Sequence, residues 1–465
     1  MLDTKTIVQR FLDIKLQVHP EVVQYLTARD DPTLIDQILL SVPDDTVVVS
    51  VQHIPGLKTE RDGVRFLPDP FIEVVQGAEG STMGVGGVES FSHHFRDRYN
   101  RLGGMIRTRA HAMPIEALIK SSRFRGEPVT LIGMVIEIKN TSNGHRLVHL
   151  EDPTGTIPVL FNKGRDVFSD ASQVIYDEVI GVRGTQSPKG EIFFGDQIYR
   201  PDVPISHAPY AGTARGSAVL ISDIHVGSET FLEETWERFA AWIGSSRVSY
   251  LLVAGDLVDG IGIYPGQEKE LSIKDVYEQY NTLARMMTRL PSDMRIILAP
   301  GNHDVVRGAE PQPAVPSEFL GKFPGNCTFV ENPAMVSLQG VRFLLYHGRS
   351  IDDAIGLIPG ASYENPAPLM EGMLQRRHLA PAYGRKTPIA PDHKDRLIID
   401  PIPEVFHTGH VHIQGLTTYR GVLCVNAGTW QAQTAFQRQM NVNPTPGRAV
   451  VVDLETLNPR TLDFL

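Results

Sequence analysis

The second half of this chain reads as α/β, with a small β-barrel and an N-terminal helical module ahead of it. Three observations predict this. The runs Ala218-Val219-Leu220-Ile221, Ser249-Tyr250-Leu251-Leu252-Val253-Ala254 and Met294-Arg295-Ile296-Ile297-Leu298-Ala299 have the length and apolar character of buried strands, and each stops at a polar or glycine turn. Amphipathic stretches at 229–242 and 273–290 separate them, as crossovers between parallel strands require. Upstream, residues 129–161 alternate apolar and polar side chains, the period of half-buried strands.

In chain order, residues 4–42 show helical periodicity in three pieces, the last opened by Asp31-Pro32, a cap followed by a first-turn proline. A short β-like region covers 46–75. Gly77, Gly80, Gly84, Gly86 and Gly87 then predict a flexible linker ending near Ser90. This gives a helical module at 1–45 and a β-like, glycine-rich connection at 46–90. The module suits either a docking device or a stability element.

Two alternating strands flank the turn Asn140-Thr141-Ser142-Asn143-Gly144, and a third follows Asp152-Pro153-Thr154-Gly155. Further strands at 178–183 and 191–198 complete five. With the helical segment before it, this domain spans 91–205. It looks like an OB-fold, whose common ligands are single-stranded nucleic acids. Few aromatic residues sit on its strands, so a barrel used only for packing reads equally well.

Five polar clusters recur in one order at strand ends: Ser222-Asp223-Ile224-His225, Gly255-Asp256-Leu257-Val258-Asp259, Gly301-Asn302-His303-Asp304, His347-Gly348 and Gly409-His410-Val411-His412. Phe343-Leu344-Leu345-Tyr346 leads into His347, and Val405-Phe406-His407 into the last cluster. The carboxyl ends of buried strands are where α/β proteins build sites. A single Gly-Asp or His-Gly is ordinarily a turn, and any strand end can produce Asp-x-His. Five such clusters with compatible oxygen and imidazole ligands point instead to a pair of hydrolytic divalent metal ions. A zinc knuckle lacks its ligands, because Cys327 and Cys424 lie far apart and outside any C-x-x-C.

From Gly216 to the C-terminus the chain resembles the calcineurin-like metallophosphoesterases, with all five of their motifs intact. The resemblance implies a β-sandwich with flanking helices over 216–465. It assigns Asp223, His225 and His412 to one metal and Asn302, His347 and His410 to the other, with Asp256 bridging both. His303 takes a catalytic role off the metals. Asp304, beside it, either orients that imidazole or caps the next helix. Mixed Asp, Asn and His ligands suit Mn²⁺, Zn²⁺ or Fe²⁺ better than Ca²⁺. The likeness to nuclease members puts Mn²⁺ first, with Zn²⁺, Fe²⁺ and Mg²⁺ as alternatives. Two such ions, about 3.5–4 Å apart, would activate water and stabilise the entering and leaving oxygens of an in-line displacement.

A barrel of this type directly before such a domain resembles the B-subunits of replicative DNA polymerases. The intact ligands are similar to the small subunit of archaeal D-family DNA polymerase, whereas eukaryotic B-subunits have degraded ones. Two further stretches extend the likeness: Phe91-Ser92-His93-His94-Phe95-Arg96-Asp97-Arg98-Tyr99-Asn100-Arg101-Leu102, and Arg376-Arg377-His378-Leu379-Ala380-Pro381-Ala382-Tyr383-Gly384-Arg385-Lys386. The family implies a 3′→5′ proofreading exonuclease working beside a large catalytic polymerase subunit, on DNA with a single-stranded or mismatched 3′ end, with a sliding clamp reached through the complex. Arg376, Arg377, Arg385 and Lys386 are expected near the metals as phosphate contacts. The alternative is a solvated helix end that salt-bridges to a carboxylate-rich partner. His378 is expected to pack or to contact phosphate. Rival readings are a free-standing phosphodiesterase acting on small molecules and a scaffold with a vestigial site.

Composition narrows the setting. A chain of 465 residues has room for two or three domains. Its net charge of −10 excludes DNA binding by bulk attraction, leaving a local basic patch or a partner to hold DNA. Two unpaired cysteines suit a reducing cytoplasm. No signal-peptide core and no run of 18 apolar residues is present, so no membrane association is expected.

Overall fold

The computed structural model describes residues 4–14, 16–29, 33–42, 48–49, 54, 72–76, 87–124, 126–208, 210, 212, 214–439 and 441–465. It divides into two compact units, 1–67 and 68–465. In the first, helices Thr4–Leu12, Pro20–Arg29 and Thr33–Ser41 surround a core that includes Ile7, Phe11, Val22, Leu26, Ile35 and Ile38. Those residues recur three or four apart, so each helix buries one stripe. Gln17–Val18 pairs in parallel with Val48–Val49. The expected Asp31-Pro32 cap, most of the β-like stretch, and Gly77, Gly80, Gly84 and Gly86 of the expected linker lie outside the described residues.

In the second unit the expected linker end is corrected. Helix Val88–Arg107 starts at once after Gly87, taking in Ser90, whose amide bonds the Gly87 carbonyl at 3.0 Å. Its buried residues His94, Arg98, Tyr99, Leu102, Gly103 and Ile106 form one face. That face packs against a closed barrel of strands Val129–Asn140, Arg146–Asp152, Gly155–Phe161, Phe193–Tyr199 and Val179–Gln186, in that order around the ring. The two C-terminal barrel strands begin a residue or two later than the sequence predicts. Leu131, Val135, Val148, Leu150, Val159, Phe161, Val182 and Phe193 fill the interior.

The remaining residues build two six-stranded sheets laid face to face. One runs Cys327–Phe329, Arg295–Ala299, Tyr250–Ala254, Ser217–Ile221, Arg448–Asp453, Pro459–Asp463; the other runs Gly415–Tyr419, Val422–Asn426, Val405–Thr408, Val341–Tyr346, Ala334–Leu338, Ile72–Gln76. Alternation of side chains along each strand gives every sheet two apolar faces. Leu220, Leu252 and Ile297 meet Phe343, Leu345 and Val425 between the sheets. Ile221, Val253 and Leu298 turn outward to Phe239, Tyr280 and Leu283 of helices Glu233–Ser245 and Val276–Thr288. On the far side, Tyr346, Phe406 and Cys424 pack on Met370 and Leu374 of helix Ala367–Arg376. Burial on both faces explains why these strands read as continuous apolar runs.

The first of the two predicted crossover helices starts later than expected. Residues 228–231 form a turn instead, closed by Phe231 N on Ser228 O at 3.3 Å, with Glu229 N bonded to Glu270 O at 2.9 Å and Phe231 bridged to Gln431. The second begins at Val276, where the Asp275 carboxylate accepts from Glu278 N. Among the described residues no helix is long and apolar enough to cross a membrane.

Candidate metal centre

Parallel register converts the strand order into a site. Leu220 pairs with Leu252 and Leu252 with Ile297, so Asp223, Asp256 and Asn302 leave the same edge of the first sheet. In the second sheet Leu345 pairs with His407, which brings His347 and His410 to the matching edge. Two groups result whose ligand atoms lie within 4.8 Å of one another: Asp223, His225 and His412 in one, Asp256, His347 and His410 in the other. Asp256 also forms such a group with His225 and His303. Its Oδ2 lies 3.7 Å from His225 Nε2 and 3.2 Å from His347 Nε2, between the two halves. Asn302 joins the second half, its Oδ1 being 3.0 Å from His347 Nε2.

Getting these side chains to converge strains the backbone. Asp223, His225, Asp256, His410 and His412 all adopt positive φ, between 49° and 72°, which costs about 1–3 kcal/mol each for non-glycine residues. Gly409 is required by space, since a Cβ there would stand 2.4 Å from Asp223 Oδ2.

The donor set fits divalent cations. His347 Nδ1–H donates to the Ala254 carbonyl at 3.0 Å, leaving the Nε2 lone pair facing two oxygen acceptors, Asn302 Oδ1 and Asp256 Oδ2. Only a proton or a cation satisfies that arrangement. Burial alone would depress this imidazole, but the Asp256 and Asp223 carboxylates override it and push it up to about 10. On the other side His225 Nδ1–H donates to Asp259 Oδ1 at 2.9 Å, so its Nε2 lone pair faces His412 Nε2 at 3.1 Å and the Asp223 and Asp256 carboxylates. His412 Nδ1 is bonded by Gln437 at 2.8 Å. His410 Nε2 stands 3.4 Å from Asp352, whose carboxyl, despite burial, is held well below the usual carboxylate range by that imidazole.

The position of Asp304 favours neither expected role. Its Oδ2 accepts from Leu257 N at 3.0 Å and Gly301 N at 2.8 Å, and Oδ1 accepts from Tyr280 at 2.7 Å. It braces the two ligand loops and makes no contact with the His303 ring. Burial, with the Asp256 charge, raises it to about 6. His303 is oriented by a residue that carries no role in the sequence reading: Nδ1 lies 2.8 Å from the Asp259 carbonyl. Asp259 stands in the second cluster, three positions after Asp256, and that spacing is its only signal in the sequence. Asn332, whose Oδ1 accepts from His347 N at 2.8 Å, has none.

A cavity of about 470 Å³ opens over the cluster, lined by His225, Asp256, Asn302, His303, His410 and His412 together with Tyr264, Tyr363 and Lys386. The family model for the DNA polymerase alpha/epsilon B-subunits matches residues 218–414. The DNA polymerase II small subunit of Halobacterium salinarum is 43% identical over 393 residues, covering 83% of this chain and 77% of its own. That of Archaeoglobus fulgidus is 42% identical over 396 residues, 82% of this chain and 78% of its own. That of Thermoplasma acidophilum is 35% identical over 473 residues, 100% of this chain and 93% of its own. The chain belongs to the archaeal family D DNA polymerase II small subunits. Among solved structures, an archaeal phosphodiesterase aligns over 53% of this chain and 98% of its own at 12% identity and a TM-score of 0.29.

In this member of the small-subunit family the four basic residues expected as one phosphate-binding loop are split. Arg376 and Arg377 are buried, and this corrects their expected role. Arg376 Nε pairs at 2.7 Å with Glu178 of the barrel domain, and Arg377 Nε donates to Ile399 O at 2.7 Å. Their charges are consumed inside the fold. Arg385 and Lys386 are exposed, Arg385 over the Tyr176 ring at 4.7 Å and Lys386 on the cavity wall. The two stretches singled out in the sequence meet each other. Asp395 Oδ2 receives Arg98 Nε at 2.6 Å and His378 Nε2 at 2.8 Å, and Tyr383 packs edge-on against Phe91 and Phe95. His378 is thus a packing residue.

Proposed function

We propose that this chain is the 3′→5′ exonuclease subunit of a family D polymerase, removing mismatched 3′ nucleotides for a separate large catalytic subunit in the cytoplasm. The observation that carries the reading is the place of Asp256 Oδ2, 3.7 Å from His225 Nε2 and 3.2 Å from His347 Nε2, between two groups of potential ligands at one cavity. The sandwich is read as a calcineurin-like phosphoesterase domain and the barrel as an OB-fold, which gives the small subunit both a cutting site and a module of a kind that holds single strands.

Asp223, His225 and His412 would hold one ion and Asn302, His347 and His410 the other, with Asp256 common to both. Mn²⁺ is the first choice. Bound there, such a pair supplies charge neutralisation for a phosphodiester and a nucleophile at neutral pH. The chain's own groups supply the rest. Asp259 fixes the His225 ring through Nδ1 and holds the His303 ring through its carbonyl, leaving His303 Nε2, when the ring is protonated, to give a proton to the leaving oxygen. Lys386 offers a cation to a phosphate in the cavity.

The test uses the full chain, alone and with its large subunit, loaded with Mn²⁺. Substrates are a 3′-mismatched primer, a paired primer, a single strand, a nucleotide monoester and a small chromogenic phosphodiester. The reading expects metal-dependent release of 3′ nucleotides, faster from mismatched than paired ends. Cleavage of the monoester or of a small diester, with DNA untouched while two ions are bound, would replace it with a small-molecule phosphodiesterase.

A further inference from the structure

The segment Gly260-Ile261-Gly262-Ile263-Tyr264-Pro265-Gly266 follows Asp259 and is unaccounted for by metal binding. It is a projection anchored at Gly260, Ile263 and Tyr264. Buried Gln279 accepts from Gly260 N at 2.9 Å and donates to Gly260 O at 3.2 Å. Buried Gln267 accepts from Ile263 N at 2.9 Å and donates to Asp259 O at 2.8 Å. Gly260, at φ +72°, lies so close to His303 that a Cβ would stand 2.2 Å from the His303 carbonyl oxygen. The Tyr264 hydroxyl donates to Glu270 at 2.9 Å, fixing the ring.

What this anchored loop presents is apolar. Ile261, Ile263 and Tyr264 are 44%, 40% and 37% exposed, and Tyr264 with Pro265 lines the metal cavity. Exposed isoleucines and a fixed aromatic ring beside a strongly charged pocket carry a hydration cost unless something flat and apolar covers them. Tyr363 lines the same cavity from the other half of the cluster, its hydroxyl bonded at 2.7 Å to Asp352, the partner of His410. A nucleotide whose phosphate lies on the metal centre has one component that needs such a surface, its base.

We infer that the 260–266 loop is a nucleobase platform: Tyr264 stacks on the base of the terminal 3′ nucleotide, with Ile261 and Ile263 against the neighbouring base, so a strand must be unpaired at its end to be cut. This rests on the exonuclease reading for the identity of the substrate. It makes discrimination against paired ends a property of this loop as well as of the energy of fraying.

Base-on-aromatic stacking is worth about 1–3 kcal/mol per base, which corresponds to a change of about 5- to 150-fold in affinity. The test compares two fluorescent single-stranded oligonucleotides that differ only in a normal or an abasic 3′-terminal nucleotide. Binding to the full chain is read by anisotropy in EDTA, and cleavage in Mn²⁺. Wild type should favour the normal end by about tenfold in both. Tyr264→Ala should bind and cut both oligonucleotides alike, and Tyr264→Phe should keep the preference. Melting temperature and Mn²⁺ stoichiometry serve as folding controls. Retention of the preference by Tyr264→Ala, or equal binding of the two ends by wild type, would overturn the platform. So would a Tyr264→Ala defect confined to large-subunit binding. Absence of any DNA cleavage by wild type would sink the exonuclease reading, while the binding comparison would still decide the platform.

Discussion

His225 Nδ1 lies 2.9 Å from Asp259 Oδ1, and the same aspartate's carbonyl holds His303 Nδ1 at 2.8 Å. One residue therefore sets the tautomer of a candidate metal ligand and the aim of the proposed proton donor. Loss of such a partner typically lowers metal affinity or activity about 10–100-fold. Asp259→Ala should do so, and Asp259→Asn should recover part of the loss because its oxygen still accepts. Mn²⁺ titration followed by electron paramagnetic resonance gives the affinity directly.

Asp256→Ala should abolish nuclease activity and lower metal occupancy. Its carboxylate stands between His225 and His347, and without it two cations would face each other with less negative charge between them. Metal counting by mass spectrometry beside the nuclease assay checks this; full turnover at saturating Mn²⁺ would remove the shared-ligand role.

His303→Ala should leave metal stoichiometry unchanged and lower turnover by about 10²–10⁴, the usual worth of a positioned acid. Loss of an ion from that variant would make His303 a ligand, a role its grouping with His225 and Asp256 geometrically allows.

The split basic stretch gives opposite expectations for residues ten apart or fewer. Neutralising exposed Arg385 and Lys386 should weaken DNA binding and flatten its salt dependence by about 0.7 in slope per lost phosphate contact on a single strand. Arg376→Ala should leave that slope alone. It removes the nearer of two cations from the buried Glu178 carboxylate, leaving Arg200 Nε at 3.8 Å and the Ile175 amide. It should cost folding stability, at most the about 3–5 kcal/mol of a fully stranded buried charge, read by denaturant titration.

The cluster at Asp395 predicts a pH dependence of folding. Burial drives the His378 imidazole down to about 4, so it stays neutral in the folded chain while an unfolded histidine takes a proton near its ordinary value of 6.5. Between those values the unfolded state binds more protons, and stability falls as pH drops from 6.5 toward 4. The full loss is on the order of 3 kcal/mol. Denaturation midpoints at pH 7 and 4.5 should differ in wild type, and His378→Gln should lose about that much of the difference, the rest belonging to other buried imidazoles such as His407, which burial drives down to about 3.

Sequence by itself determined what depends on neighbours along the chain. Apolar runs of strand length, the glycine turns that end them, the Asn-Gly turn of the barrel and the five ligand clusters in order are all local patterns, because strand period and turn conformation are set by a few consecutive residues. The candidate ligands converge because parallel strands in register share an edge. Roles that depend on distant partners were not legible. Arg376 and Arg385 look alike in sequence, yet one is neutralised by Glu178, from nearly two hundred positions away, and the other stays in solvent. Asp304 and Asp259 each lie next to or near a ligand, and only the packing of Tyr280 and the ligand loops makes the first a brace and leaves the second to orient both histidines. Burial and charge pairing are properties of the assembled core, so the tertiary structure alone decided which polar residues were left facing the cavity.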